Sequence, residues 1–382
     1  MNSKAHHSTL DTPLTDPARF PRVYIHGEYK AQLQSYIYLF IPIALLLSFL
    51  FGGCNRSSGP SQTTSLTVVS YGGGAYQESH KKFFCQPYSE LTGIKVNSVV
   101  WSADYSKLKS MVDSGKVTWD VVEITAAQYS RGNADHLFED LSVLPNDGLF
   151  LKGTVATNGV ANVYWATVLA YKRTSYAYNP PKTCADFWDI NKFPGPRALY
   201  DDPRGNLEFA LIADGVPYDK LYPLDVERAF KKLDEIKPYV RVWWSDGSQP
   251  VQLLLNGTVA LSTAWNGRIF ASPQARDEIG YSWNGAALEL DYWVIPRGSL
   301  NRDAASRFIS YASSPYAMAR QAEMIGYGPV NVTALDFVTP AVRANLPTFP
   351  ANWETSFVVD AKWWAANEEA VKTRWLAWKA SK

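Results

Sequence analysis

Histidine and cysteine are scarce in this chain. Its 382 residues include five His and three Cys, and His6, His7, His26 and Cys54 all fall within the first 54 positions. What remains, His80, His136, Cys85 and Cys184, is little material for a transition-metal site or a His-based triad. Net charge is nearly absent too: 37 basic and 36 acidic residues give +1, so there is no basic excess to neutralise phosphates, and nucleic acid is excluded as an expected partner. The sequence carries no G-x-S-x-G elbow, no H-E-x-x-H, no G-x-x-x-x-G-K-[ST] phosphate loop and no G-x-G-x-x-G. Carboxylates are plentiful, but without a nucleophile or a metal they argue for binding more than for turnover. Cys85 and Cys184 either pair in an oxidising compartment or stay apart as buried thiols; a separation of 99 residues does not choose between these.

What the chain has in quantity is apolar and aromatic side chains. Hydrophobic residues make up 46% and aromatics 14%, with 14 Trp and 22 Tyr, which describes a folded chain long enough for two domains of ordinary size. A run of sixteen uncharged residues at 36–51 (YIYLFIPIALLLSFLF) follows Arg19, Arg22 and Lys30 and precedes Gly52, Gly53 and Cys54. It is short for a membrane span, which needs roughly 20 residues, and suits the apolar region of a secretory signal; the competing reading is an uncleaved anchor helix. In both readings the folded part is exported. Residues 1–53 carry four bases (Lys4, Arg19, Arg22, Lys30) and three acids (Asp11, Asp16, Glu28), so the remainder holds 33 of each and is formally neutral. The segment 54–65 is a polar tether.

Beyond the tether, strands and helices alternate. Strands are predicted at 66–71, 94–101 and 119–124, with helices from the glycine run Gly72, Gly73 and Gly74 to about 92 and over 105–114. This β-α-β-α-β series predicts an α/β fold with a largely parallel sheet, whose ligands sit at the carboxyl ends of strands. Further strands are expected at 162–171, 198–201, 240–244, 259–263 and 290–295. Further helices are expected at 207–212, 223–236, 249–256, 302–324 and 360–380. Trp363, Trp364, Trp375 and Trp378 stand at near-helical spacing on the last of these and are expected to pack inward.

Small residues followed by Cys54 resemble the lipobox of a bacterial lipoprotein, in which that cysteine is lipidated. The segments LTVVSYGGGAYQESHKKFF, KLKSMVDSGKVTWDVVEI, NVYWATVLAY, LSTAWNGRIF, LELDYWVIPRGS and IGYGPVN follow in order. Together they resemble an extracellular solute-binding protein of the ABC-transporter type, closest to the spermidine/putrescine-binding group. The resemblance implies a two-lobed periplasmic flytrap with discontinuous lobes and crossover hinge strands. Lobe 1 is then 66–162 plus 291–335, and lobe 2 is 163–290 plus 336–382. It implies a monomer without a cofactor, held outside the cytoplasm by a lipid anchor, that binds a small cationic amine between its lobes and hands it to a membrane permease.

An amine on an apolar stem calls for aromatic faces and carboxylates. The family's positions map onto Tyr76 after the glycine run, Trp265 in WNG, Asp291 in LELDYW and Tyr327 in IGYGPVN. Asp201, Asp202 and Glu208 fall where the family places acids for a second amine. Glu289 stands on the same strand face as Asp291, where polyamine binders often have an aromatic. Asp291 also qualifies without the family, because an acid interrupting an apolar strand needs a partner if buried. Arg204 and Arg268 bear on the substrate. If either enters the cleft beside Asp291, a zwitterion such as 4-aminobutyrate or 2-aminoethylphosphonate suits it better than putrescine or spermidine; if both point outward, a polyamine is favoured. Two readings of other classes stand beside the transporter: a periplasmic sensor adaptor on the same fold, and an exported hydrolase using clustered carboxylates.

Overall fold

The computed structural model describes residues 63–381, all within one compact unit spanning Ser61–Lys382. The predicted leader, its cleavage point and the lipidation candidate Cys54 lie outside the described residues. No helix among those described is long and apolar enough to cross a membrane.

Strand β1 (Ser65–Tyr71) runs into the glycine turn and helix α1 (Gly74–His80), which continues through a π-helical turn (Lys81–Cys85) into α2 (Gln86–Thr92). The left-handed Gly93 ends it, as its lack of a Cβ allows. β2 (Lys95–Trp101), α3 (Tyr105–Asp113), β3 (Val121–Thr125) and α4 (Ala126–Ala134) follow. The hairpin strand β4 (Val155–Ala156) leads into the long β5 (Gly159–Lys172). The second half holds β6 (Arg197–Tyr200), α5 (Asn206–Ala213), α6 (Val226–Ile236), β7 (Val240–Trp244), α7 (Gln249–Leu255), β8 (Leu261–Trp265), α8 (Asn266–Phe270) and α9 (Pro273–Glu278). β9 (Ile279–Val294) then returns across the molecule. α10 (Arg302–Ala312) and α11 (Pro315–Ile325) follow it, and α14 (Ala361–Ala380) closes the chain after two short helices, α12 (Pro340–Arg343) and α13 (Pro350–Glu354).

The strands form one path in the order β2-β1-β3-β9-β5-β8-β6-β7. β2, β1 and β3 pair in parallel, and so do β8, β6 and β7, but β9 is antiparallel to β3 and to β5, and β5 to β8. The expected largely parallel sheet is therefore two parallel trios joined by two long antiparallel strands. The β5–β9 register slips between Ala161 and Tyr164 and again between Thr167 and Leu169. Such irregularities bend a ladder where it crosses from one half to the other. The apolar cores follow this division: one cluster draws on 66–161 and 290–346, and two others mainly on 166–288 and 357–375.

Two expectations change, and one open alternative is decided. The helix expected over 302–324 is two helices, because Ser314 adopts an extended conformation ahead of Pro315, which cannot continue the ladder. The strand expected at 290–295 is the end of the sixteen-residue β9. Cys85 and Cys184 do not pair; both are buried free thiols, one in each half of the molecule, and burial pushes each up to about 12.

Candidate functional site

The carboxyl ends of β1, β3, β6 and β8 converge on a cavity of about 240 Å³ between the two halves. Tyr71, Gly72, Tyr76, Trp101 and Thr125 line it from one side; Tyr200, Arg204, Gly247, Trp265 and Arg268 from the other; and Trp165, Asp291 and Tyr327 from the strands and loop between.

Local sequence explains each placement. Gly73 holds φ at +100°, a conformation costly for any residue with a Cβ, and its carbonyl is thereby turned toward Arg268. Trp265 ends β8 and is locked by aromatic neighbours, with Trp244 at 5.4 Å, Tyr200 at 5.7 Å and Trp165 at 5.7 Å between ring centroids. The space above it is full: a Cβ on Gly247 would stand 2.4 Å from its ring. Asn266, next in the chain, accepts from the Ala166 amide at 3.0 Å and donates to the Gly326 carbonyl at 2.8 Å. That tie fixes the start of α8 and so the direction of Arg268. On the opposite wall Tyr76 and Tyr327 pack with centroids 5.6 Å apart.

The electrostatics are mixed in sign. Asp291 is buried on β9, its Oδ1 has no partner within the protein, and burial together with the nearby Glu123 raises its pKa well above the usual carboxylate range. Arg204 lies with its Nε 3.3 Å from Glu289, and burial pushes the Glu289 carboxyl up to about 7 against the pull of that guanidinium. Arg268 donates to the carbonyls of Gly73 at 2.6 Å and Gly72 at 3.3 Å, and its guanidinium stands 5.8 Å from the rings of both Tyr76 and Trp265. Its Nε, like the indole nitrogens of Trp165 and Trp265, is buried without an acceptor.

The sequence-derived candidates divide. Tyr76, Trp265, Asp291 and Tyr327 line the cavity together with Arg204 and Arg268. Glu289 sits behind, as the partner of Arg204. The other three acids do not line it. Asp201 pairs with Lys379 of α14 at 2.5 Å and accepts from the Trp375 indole at 3.2 Å. Asp202 accepts from the Arg204 amide at 2.9 Å and faces Lys372 at 3.4 Å. Glu208 accepts from Tyr222 at 2.5 Å, from Trp364 at 2.7 Å and from the Gly205 amide at 2.8 Å. Those three fasten α5 and the loop before it to the terminal helix, and their carboxylates are already satisfied there. Sequence reasoning did not find Tyr71, Trp165, Tyr200 or Glu123. The signal for Glu123 was the one used for Asp291, an acid inside the apolar strand segment WDVVEI.

Two sheet halves joined by crossing strands around a cavity that offers aromatic faces, guanidiniums and a buried acid are the architecture of a solute-binding protein. The chain belongs to the bacterial extracellular solute-binding protein family, whose model matches residues 84–351. It is 37% identical to the gamma-aminobutyric acid-binding protein of Pseudomonas aeruginosa over 355 residues, 91% of this chain and 99% of that protein. It is 25% identical to the spermidine/putrescine-binding periplasmic protein of Escherichia coli over 69% of this chain and 78% of that one. Among solved structures, an ABC transporter substrate-binding protein from Bradyrhizobium japonicum superposes with a TM-score of 0.78 at 36% identity, covering 83% of this chain and 99% of that one. A GABA receptor superposes at 0.77 with 36% identity over 83% and 98%. The chain is thus the substrate-binding component of an ABC importer, a protein that captures a small solute and delivers it to the permease. The polyamine-binding relative is the more distant of the two, and both Arg204 and Arg268 line the cavity.

Proposed function

We propose that the captured solute is a short ω-amino acid of the 4-aminobutyrate type, held with its ammonium on Asp291 and its carboxylate toward Arg204 and Arg268. The observation that carries this reading is the charge balance of the lining. Among the residues that line the cavity Asp246 and Asp291 are set against Arg204 and Arg268, two charges of each sign, which suits a zwitterion and leaves a second cationic amine uncompensated. The buried polar atoms point the same way, since Asp291 is an acceptor while Arg268 Nε and the Trp265 indole are donors. Tyr76, Trp265 and Tyr327 supply the walls for the methylene stem and the ammonium.

Binding on this reading draws together lobe 1 (66–162 plus 291–335) and lobe 2 (163–290 plus 336–382) by bending β5 and β9 where their register slips. Closure then makes the surface that the permease recognises. Export with lipidation of Cys54 would keep the protein at the membrane as a monomer.

Titration calorimetry against 4-aminobutyrate, 2-aminoethylphosphonate, putrescine and spermidine tests the ligand. We expect 4-aminobutyrate to bind at least tenfold more tightly than putrescine, and Asp291→Asn to weaken it at least tenfold, about 1.4 kcal/mol for a charge-assisted bond. Preference for a diamine, or an unchanged Kd in Asp291→Asn, would sink the reading.

A further inference from the structure

The ligand reading leaves one buried acid unused. Glu123, on β3, is wholly buried; its Oε1 accepts from the Tyr76 hydroxyl and from Asn162 Nδ2 at 2.7 Å, and its Oε2 has no partner. The ladder sets Thr125 opposite Asp291 and Glu123 opposite Trp293, so both acids project from one face of the sheet as diagonal neighbours. Diagonal pairs stand about 7 Å apart at their Cβ atoms, within reach of two carboxyl side chains.

The groups around them do not neutralise two charges. From α1 come Tyr76 and His80; from β1, Tyr71; from β5, Asn162 and Trp165; from the loop after α11, Tyr327. On the far side of Asp291, Arg204 is engaged with Glu289, and Arg268 is bound to the carbonyls of Gly72 and Gly73. His80 Nε2 lies 3.9 Å from Glu123, but the ring is packed between Tyr76, Phe84 and Trp293, and burial pushes its pKa down to about 3. It is neutral and supplies no counter-charge. Two close, buried, uncompensated carboxyls cannot both ionise cheaply, and one retains a proton. Burial raises both acids above the usual carboxylate range, and for Asp291 the Glu123 charge adds to it.

We propose that Glu123 is a positioning residue of the amine subsite: in the unliganded protein Glu123 and Asp291 hold one proton between them, and the arriving ammonium displaces it to solvent. This rests on the reading of the ligand as an amine. The balance closes, because one positive charge enters with the ligand and one leaves as the proton, so the subsite keeps its net charge. Tyr76 and Asn162 hold Glu123 in place. Because the pair stays at one net negative charge until a cation arrives, the subsite selects a protonated amine over a neutral group of the same size. Since binding releases a proton, affinity falls with acidification, by up to about tenfold per pH unit below the titration of the pair.

Calorimetry of the full chain with 4-aminobutyrate near pH 6, in two buffers of different ionisation enthalpy, counts the protons. We expect close to one released per ligand in the native protein, and less than half as many in Glu123→Gln, whose amide still accepts from Tyr76. Binding with no linked proton, or equal release in Glu123→Gln, overturns the proposal. Carboxyl carbon NMR of the unliganded protein gives a second readout independent of ligand: a resonance titrating above pH 6 that both Glu123→Gln and Asp291→Asn abolish. Its absence overturns the shared proton whatever binds. If it is present while 4-aminobutyrate gives no heat, the ligand reading fails and the shared proton stands.

Discussion

His80 shows what a single buried residue does to the pH dependence of the whole protein. Its ring is 1% exposed, neither nitrogen has a partner, and burial holds its pKa near about 3. In the unfolded chain it titrates near about 6.5. Between those values the unfolded state binds the extra proton, so this group's contribution to stability is complete above the unfolded value and is lost as pH falls toward the folded one. The raised carboxyls Glu123 and Asp291 act with the opposite sign: their contribution is present in acid and is lost as pH rises through their folded values. Comparison with His80→Phe separates the two effects. Denaturant unfolding from neutrality down to about pH 4 should show the native protein losing stability more steeply than His80→Phe, by up to about 1.4 kcal/mol per pH unit. Parallel curves would mean that His80 takes up its proton in the folded state.

At the scale of elements, α14 is held to the second half of the molecule by its buried tryptophans. Trp364 and Trp375 are 0% and 2% exposed, and they meet Glu208 and Asp201 through their indole nitrogens. Truncating Trp364 to alanine should cost about 3–5 kcal/mol in denaturant unfolding, while Leu376→Ala, on the same helix but 63% exposed, should stay within about 0.5 kcal/mol. Comparable losses at both positions would show that helix propensity, not packing, holds α14. The aromatic spacing that placed this helix was legible in the sequence, as were β1 and β7, whose apolar runs end at turn residues. Asp291 was legible because a lone acid inside an apolar strand is conspicuous; Glu123 in WDVVEI carries the same mark and was passed over. Asp201, Asp202 and Glu208 illustrate what sequence does not encode locally. Their direction is set by α14, more than 150 residues away, whose lysines and indoles claim their oxygens. The length of β9 was hidden for a similar reason, since only its ladder with β5, from Ile279 to Ser282 and again from Ala287, joins the expected strand at 290–295 to the residues before it.

For the molecule as a whole, polar contacts that join elements on opposite sides of the cavity differ in what they are worth. Arg131 of α4 pairs with Glu369 of α14 at 2.5 Å, but Glu369 is 78% exposed, and an exposed pair contributes about 0–1 kcal/mol. Arg268 reaches from α8 to the carbonyls of Gly72 and Gly73 beside Tyr76, so it lies on the path of closure and next to the ligand's carboxylate in the proposed pose. Glu369→Ala should therefore change the Kd for 4-aminobutyrate by less than about fivefold. Arg268→Lys keeps the charge but loses the planar fork that reaches two carbonyls, and should weaken binding by about tenfold or more. A ligand that binds only the folded, closed form also stabilises it: at a free concentration 100 times Kd the gain is about 2.7 kcal/mol. Thermal unfolding at one fixed 4-aminobutyrate concentration should show that gain reduced by less than about 1 kcal/mol in Glu369→Ala and cut to about half or less in Arg268→Lys. Equal stabilisation of the two variants would place the ligand away from Arg268 and leave its carboxylate to Arg204 alone.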